Sequence, residues 1–381
     1  NLHRSVHFEP TFIQLSKDFQ YIYVNGLSIY NDTILKVKQP ELLRDWILSL
    51  CEDGLHNYPD TTFYADLNRD GEDELIIVDT GSRDHSLDIC RQFGAKVLSY
   101  EWTDHFADAR NYGLQFATCD WILWMDADEK LDLKQVDITQ FLNNTNADIL
   151  SIPVINYYGE GEPVNPQDAF VLSQYRLFKN HAELRFKQNI HEYLQINESN
   201  RVGNLLESEV CIHHYGYLTS AVESKNKSHR NLTILKRNLN ESDQDPWVYF
   251  HIANELQSIK AYELSVNFIN ASILGFLKNG QKPPAILYRL KYEILIQSDS
   301  YNEAWPGIEK AIELYPDYVD LHYLKGLILF AKNAYEESMN AFNHCLTLGE
   351  SHPEYLILRG TGSFKAKEKL EQCSEKMKFN G

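Results

Sequence analysis

Trp121-Ile122-Leu123-Trp124-Met125-Asp126-Ala127-Asp128 is the stretch from which the rest of the chain is read. A run of bulky apolar residues stops at two carboxylates separated by one residue. So short a run, rich in β-formers, reads as a buried strand. Strand alternation predicts that Asp126 and Asp128 point to the same side at its end. Neighbouring carboxylates repel, so the pair asks for a positive partner. A hard divalent ion with oxygen ligands, Mg2+ or Mn2+, meets that need, and such an ion suits a diphosphate. An acidic turn after a strand is the plain alternative.

Working outward, Glu74-Leu75-Ile76-Ile77-Val78 is another apolar run, ending in Asp79-Thr80-Gly81-Ser82-Arg83-Asp84. Gly81 permits a tight turn, and Ser82 or Asp84 can cap the helix expected over Ser86 to Phe93. Ala95 to Leu98 reads as the next strand. A helix from about Phe106 to Ala117 leads into the opening strand. Before these, Thr33 to Val37 reads as a first strand and Pro40-Glu41 as the start of a helix ending at Cys51. Residues 52–72 read as a long loop. Asp148 to Pro153 predicts a further strand, and Tyr157 to Asp168 a mobile loop over the site. Strands alternate with helices and are apolar throughout. That is the pattern of a mostly parallel α/β sheet covered on both faces. In such sheets ligands bind at the carboxyl ends of the strands. Asp79 and the Asp126/Asp128 pair stand there on different strands. Asp79 suits hydrogen bonds from a ribose or base, and Arg110 suits a diphosphate.

The chain of 381 residues is long enough for two or three domains. With 43% hydrophobic and 24% charged residues it reads as a soluble globular protein. No stretch approaches the roughly 20 apolar residues of a membrane span. No signal peptide is visible, and an opening Asn1 in place of Met suggests that a few residues precede it. A net charge of −18 argues against nucleic acid and acidic membranes and favours a neutral or basic partner. Cys51, Cys90, Cys119, Cys211, Cys345 and Cys373 show neither a CxxC pair nor zinc spacing, so they read as reduced cytosolic thiols.

Three segments, Ile77 to Ser82, Phe106 to Asn111 and Trp121 to Asp128, resemble in order the motifs of family 2 glycosyltransferases of the GT-A fold. The resemblance covers about residues 31–220. Where that family carries Asn-Glu after its first strand, this chain has Lys38-Gln39-Pro40-Glu41. Tyr175 to Asn180, Ile190-His191-Glu192-Tyr193 and Cys211 to Tyr217 are similar to the back half of one subgroup. There a tetratricopeptide segment follows the catalytic domain, and sublancin-type enzymes glycosylate Cys or Ser of bacteriocin peptides. The resemblance implies an inverting transfer of a hexose, glucose from UDP-glucose, onto a peptide Cys or Ser. It implies Mg2+ or Mn2+ on Asp128, Asp126 and His214. The UDP-sugar would lie on Asp79, Arg110, Asp126 and Arg176, and Glu192, beside His191, would act as base, in a bacterial cytoplasm. A transferase for surface glycan and a non-catalytic adaptor with a degenerate nucleotide-sugar domain are the alternatives.

The back of the chain repeats. Ala304, Ile308, Ala311 and Pro316 fit the small, bulky, small and Pro positions of a 34-residue tetratricopeptide. Ser338, Phe342 and Cys345, with Gly326 before them, fill those positions again. A weaker copy, with Ala253, Ser265, Ile269 and Ser272, starts near Pro246. The expected plan is an extension over 1–30, the α/β domain over 31–220 and a connecting helix over 221–245. Helical repeats over 246–360 and a tail over 361–381 complete it. The repeats either offer a concave groove to a peptide or protein acceptor, a basic one for preference, or pair two copies as a homodimer.

Overall fold

The computed structural model describes residues 11–15, 62–67, 73–82, 86–92, 95–134, 136, 138–160, 164–181, 183–207, 209–218, 231–236, 245–350 and 352–380. The strand expected over Thr33 to Val37 and the helix after Pro40 lie outside these residues. The chain divides into a first unit, Asn1–Asn165 with Ser173–Lys225, and a second, Pro166–Leu172 with Asn226–Gly381.

In the first unit β1 (Thr11–Leu15), β2 (Thr62–Leu67), β3 (Asp73–Asp79), α1 (Ser86–Gln92) and β4 (Lys96–Ser99) come first. Then follow α2 (Phe106–Leu114), β5 (Trp121–Met125), β6 (Glu129–Asp132), α3 (Ile138–Asn144), β7 (Ile149–Gly159) and β8 (Ala169–Lys179). The last strands are β9 (Arg185–Lys187), β10 (Tyr193–Gln195), β11 (Val202–Asn204) and β12 (Cys211–Leu218). The main sheet runs β4-β3-β2-β5-β8-β7-β12-β6, with β1 on β5 and β11 on β7.

Apolar residues run through β3 and β5 because both faces of the sheet are covered. Leu75 and Ile77 join Trp121, Leu123 and Met125 in one core, with Cys90 of α1 and Ile138 and Leu142 of α3. Ile76 and Val78 join Ile122 and Trp124 in the other, with Ala107, Ala109 and Leu114 of α2. Each such aliphatic side chain, fully buried, contributes on the order of 1.5–3 kcal/mol.

The sheet corrects three expectations. It is mixed rather than mostly parallel: β3–β4 and β7–β12 are parallel, whereas β2–β3, β5–β8 and β12–β6 are antiparallel. Returning strands join the βαβ core, and a buried antiparallel strand is as apolar as a parallel one. Also, the stretch expected as a loop over 52–72 contains β2, where Thr62-Phe63-Tyr64 supplies β-formers. The strand expected to end at Pro153 continues to Gly159. Pro153 falls where β7 changes partner, between its pairing with β11 through Ser151 and with β12 from Val154. Its missing N–H therefore breaks no ladder.

The second unit holds the repeats. Its helices are α4 (Pro246–Ser258), α5 (Tyr262–Lys278), α6 (Ala285–Gln297), α7 (Tyr301–Ala304) and α8 (Ile308–Leu314). They continue with α9 (Val319–Ala331), α10 (Tyr335–Leu348) and, after the short strand β13 (Ile357–Leu358), α11 (Phe364–Asn380). Residues 231–236 are also helical, within the connector. The small positions read from the repeat are buried at close helix contacts. Ser265 Oγ donates to the Ala253 carbonyl and Ser338 Oγ to Gly326, each bond spanning 12 residues. A Cβ on Gly326 would stand 2.5 Å from the Phe342 ring.

Candidate active site

Strand β2 is antiparallel to both β3 and β5, so those two run the same way and end on one edge. Asp79 leaves β3 there. Its carboxylate accepts from the backbone N–H of Ser82 at 2.9 Å and from the Ser82 hydroxyl, across the turn that Gly81 allows at φ +122°. Arg110 arrives from α2, which Asn111 ties to Phe186: its Oδ1 accepts from the Phe186 N–H and its Nδ2 donates to the Phe186 carbonyl. That clip docks β9 and, with Gln188 and His191 at positive φ, sets the path to Glu192.

The buried Arg110 guanidinium gathers acids. Its Nε donates to Glu192 Oε1 at 2.6 Å, and NH2 to Asp126 Oδ1 at 3.2 Å. Arg176 of β8 grips Glu129 with both ends of its fork, at 3.0 and 2.6 Å. It stands 3.9 Å from Asp126 Oδ2. Both guanidinium carbons lie over the Trp124 ring, at 4.1 and 3.6 Å, so that one indole supports two cations. Burial pushes the Glu129 carboxyl upward, and Arg176 opposes that rise.

Asp126 and Asp128 part company. The strand ends at Met125, and Glu129 Oε2 accepts from the Asp126 N–H at 2.7 Å to close a turn. Strand alternation therefore stops before the pair. Asp126 goes to the arginines, and Asp128 Oδ1 lies 3.3 Å from His214 Nε2. Asp126, expected to share the metal, is not gathered with them: within 4.8 Å the described residues bring together only Asp132, Cys211 and His213 as a three-ligand group.

The Asp128–His214 pair fits a divalent ion. Asn156 Nδ2 donates to the Val154 carbonyl, so its Oδ1 faces the His214 ring as an acceptor, 2.8 Å from Nδ1. Nδ1 then donates to Asn156, and Nε2 is the ring atom that faces Asp128. The register of β12 on β7 shifts between His214 and Tyr217, a bulge that contains Gly216. Within it the Tyr215 N–H holds the Asp128 carbonyl at 2.9 Å. A Cβ at Gly216 would stand 2.5 Å from Asp128 Oδ2 and 2.6 Å from His214 Nε2, so Gly keeps open the space the two side chains face.

The structure thus brings together Arg110, Asp126, Arg176 and Glu192 in one group and Asp128 with His214 in another. His191 shows its part in the backbone, at φ +54°. Glu129, Asn156, Gly216 and Trp124 were missed. A carboxylate within three residues of Asp126 was the available signal for Glu129. No local signal marks Asn156, which reaches His214 from the neighbouring strand.

Residues 41–202 match Glycosyl transferase family 2. A TPR repeat-containing protein of Synechococcus elongatus is 30% identical over 236 residues, covering 60% of this chain and 56% of that protein. The SPbeta prophage-derived glycosyltransferase SunS of Bacillus subtilis is 25% identical over 289 residues, covering 73% of this chain and 66% of that protein. The chain therefore spans between half and two thirds of these relatives' lengths. Among solved structures, MamA of Desulfovibrio magneticus superimposes with a TM-score of 0.31 at 17% identity, over 40% of this chain and 88% of its own. Residues 41–202, somewhat under half of the chain, are thus similar to glycosyl transferase family 2, and tetratricopeptide-type repeats follow them.

Proposed function

We propose that this chain transfers a hexose, glucose from UDP-glucose, with inversion to a Cys or Ser side chain of a peptide. The observation that carries the reading is the Asp128–His214 pair, its imidazole oriented by Asn156 and its open side kept clear by Gly216. Asp128 and His214 would hold Mg2+ or Mn2+. When bound, the ion neutralises charge on the departing diphosphate. The chain's own residues do the rest. Asp79 lies on the same strand-end edge, where the nucleoside would sit. Arg110 and Arg176, both over the Trp124 ring, hold Asp126 between them.

The acceptor's S or O attacks the anomeric carbon, the bond from that carbon to the diphosphate oxygen breaks, and Glu192 takes the acceptor's proton. Glu192 is held by Arg110, which positions the carboxylate. A thiol, with a pKa of about 8.5, needs less help than a hydroxyl. The similarity to the glycosyltransferase SunS supports glycosyl transfer, and the repeat array supplies surface for a peptide acceptor. Incubation with a panel of nucleotide sugars and Cys- and Ser-containing peptides tests the reading. UDP release and a sugar-sized mass gain on peptide are expected, both abolished by EDTA. Modification of a lipid-linked glycan and of no peptide would overturn it.

A further inference from the structure

His213 and His214 are neighbours in sequence, but strand alternation sends them to opposite faces of β12. His214 turns to Asp128. His213 shares its face with Cys211, and Asp132 stands directly across from Cys211 on β6. His213 Nε2 lies 3.6 Å from Cys211 Sγ and 3.4 Å from Asp132 Oδ2. One ligand atom from each of the three lies within 4.8 Å of the others. A tetrahedral ion with bonds of about 2.3 Å to sulfur and about 2.1 Å to nitrogen and oxygen would separate those atoms by roughly 3.4–3.6 Å.

We infer that Asp132, Cys211 and His213 form a second metal site, distinct from the Asp128–His214 pair, that takes a borderline transition ion, Zn2+ foremost. The mixed S, N, O donor set suits such an ion and disfavours Mg2+. The ring of His213 is already oriented. Its Nδ1 is 2.8 Å from the Tyr157 hydroxyl, and it stacks on that ring at 5.8 Å with an interplanar angle of 2°. This leaves Nε2 as the atom presented to the ion. Cys211 is buried, whereas the Asp132 side chain, 34% exposed, leaves a way in and room for water as fourth ligand. Lys134 Nζ donates to Asp132 Oδ2 at 2.6 Å, so an ion binding that oxygen must displace an ammonium. Ion binding releases the Cys211 thiol proton to solvent and forms the metal–sulfur bond. The ion would join β6 to β12 and hold the register that sets His214 opposite Glu129.

The test titrates chelator-stripped full-length chain with Co2+ and follows absorption, with zinc content measured on the protein as purified. A thiolate-to-cobalt charge-transfer band that saturates at a single ion and is displaced by Zn2+ is expected. Cys211→Ser should abolish the band. His213→Gln should weaken Co2+ binding at least about 10-fold. Lys134→Ala should tighten it, and Asp128→Ala should leave the band in place. A wild-type titration without the band overturns the site, whatever the variants do. A band that survives Cys211→Ser, or that disappears with Asp128→Ala, overturns it equally.

Discussion

At the scale of single residues, the site works through groups whose only task is to orient another. Asn156 fixes which nitrogen of His214 bears the proton. Asn156→Ala should therefore cost about 10–100-fold in metal affinity with little change in UDP affinity measured without metal. Rescue by excess Mn2+ would show that the loss is in the ion. Gly216→Ala should be as damaging, because its methyl would sit 2.5 Å from Asp128 Oδ2. A Gly216→Ala enzyme with unaltered Mn2+ dependence would remove the cradle from the account. Glu129 is different: its side chain is fully buried against Arg176. Glu129→Leu leaves that guanidinium without its main counter-charge, and a loss of about 3–5 kcal/mol in denaturant unfolding is expected. Asp128 and Glu192 could be picked out as candidates because their motifs are contiguous. The roles of Asn156, Gly216 and Glu129 were not, because they depend on which strand lies beside which.

At the scale of elements, two contacts carry predictions. In the repeats, Gly326 exists because the Phe342 ring fills the space a Cβ would take. Gly326→Ala should destabilise by about 1–3 kcal/mol through overpacking. Adding Phe342→Leu should recover part of that loss, and strict additivity of the two changes would contradict the contact. In the sheet, Asp148, at the head of β7, accepts from Arg201 and Lys179. The Arg201 bonds hold its carboxyl well below the ordinary 3.8. A depressed carboxyl gives stability that is present above its unfolded value and is lost as pH falls through its folded value. Asp148→Asn should lower stability near neutrality and flatten the decline in acid, with high salt shrinking the difference. Equal acid limbs for both proteins would deny the interaction any weight. The repeats could be read from spacing because small side chains recur where helices touch. The mixed sheet could not, because periodicity reports burial and not strand direction.

At the scale of the molecule, an array of helical repeats follows a domain similar to family 2 glycosyl transferases, and no helix among the described residues is long and apolar enough to cross a membrane. A net charge of −18 should favour a basic peptide. Peptide modification should then weaken with salt more steeply than donor hydrolysis does. Parallel salt dependence of the two would separate acceptor choice from charge. The claim on which all else rests is that Asp128 and His214 hold the catalytic ion. Mn2+ binding followed by electron paramagnetic resonance, with UDP present, tests it most directly. The account predicts bound Mn2+ in the wild-type chain and in Cys211→Ser, and its loss in Asp128→Ala with the fold intact by circular dichroism. Undiminished Mn2+ binding in folded Asp128→Ala would contradict it.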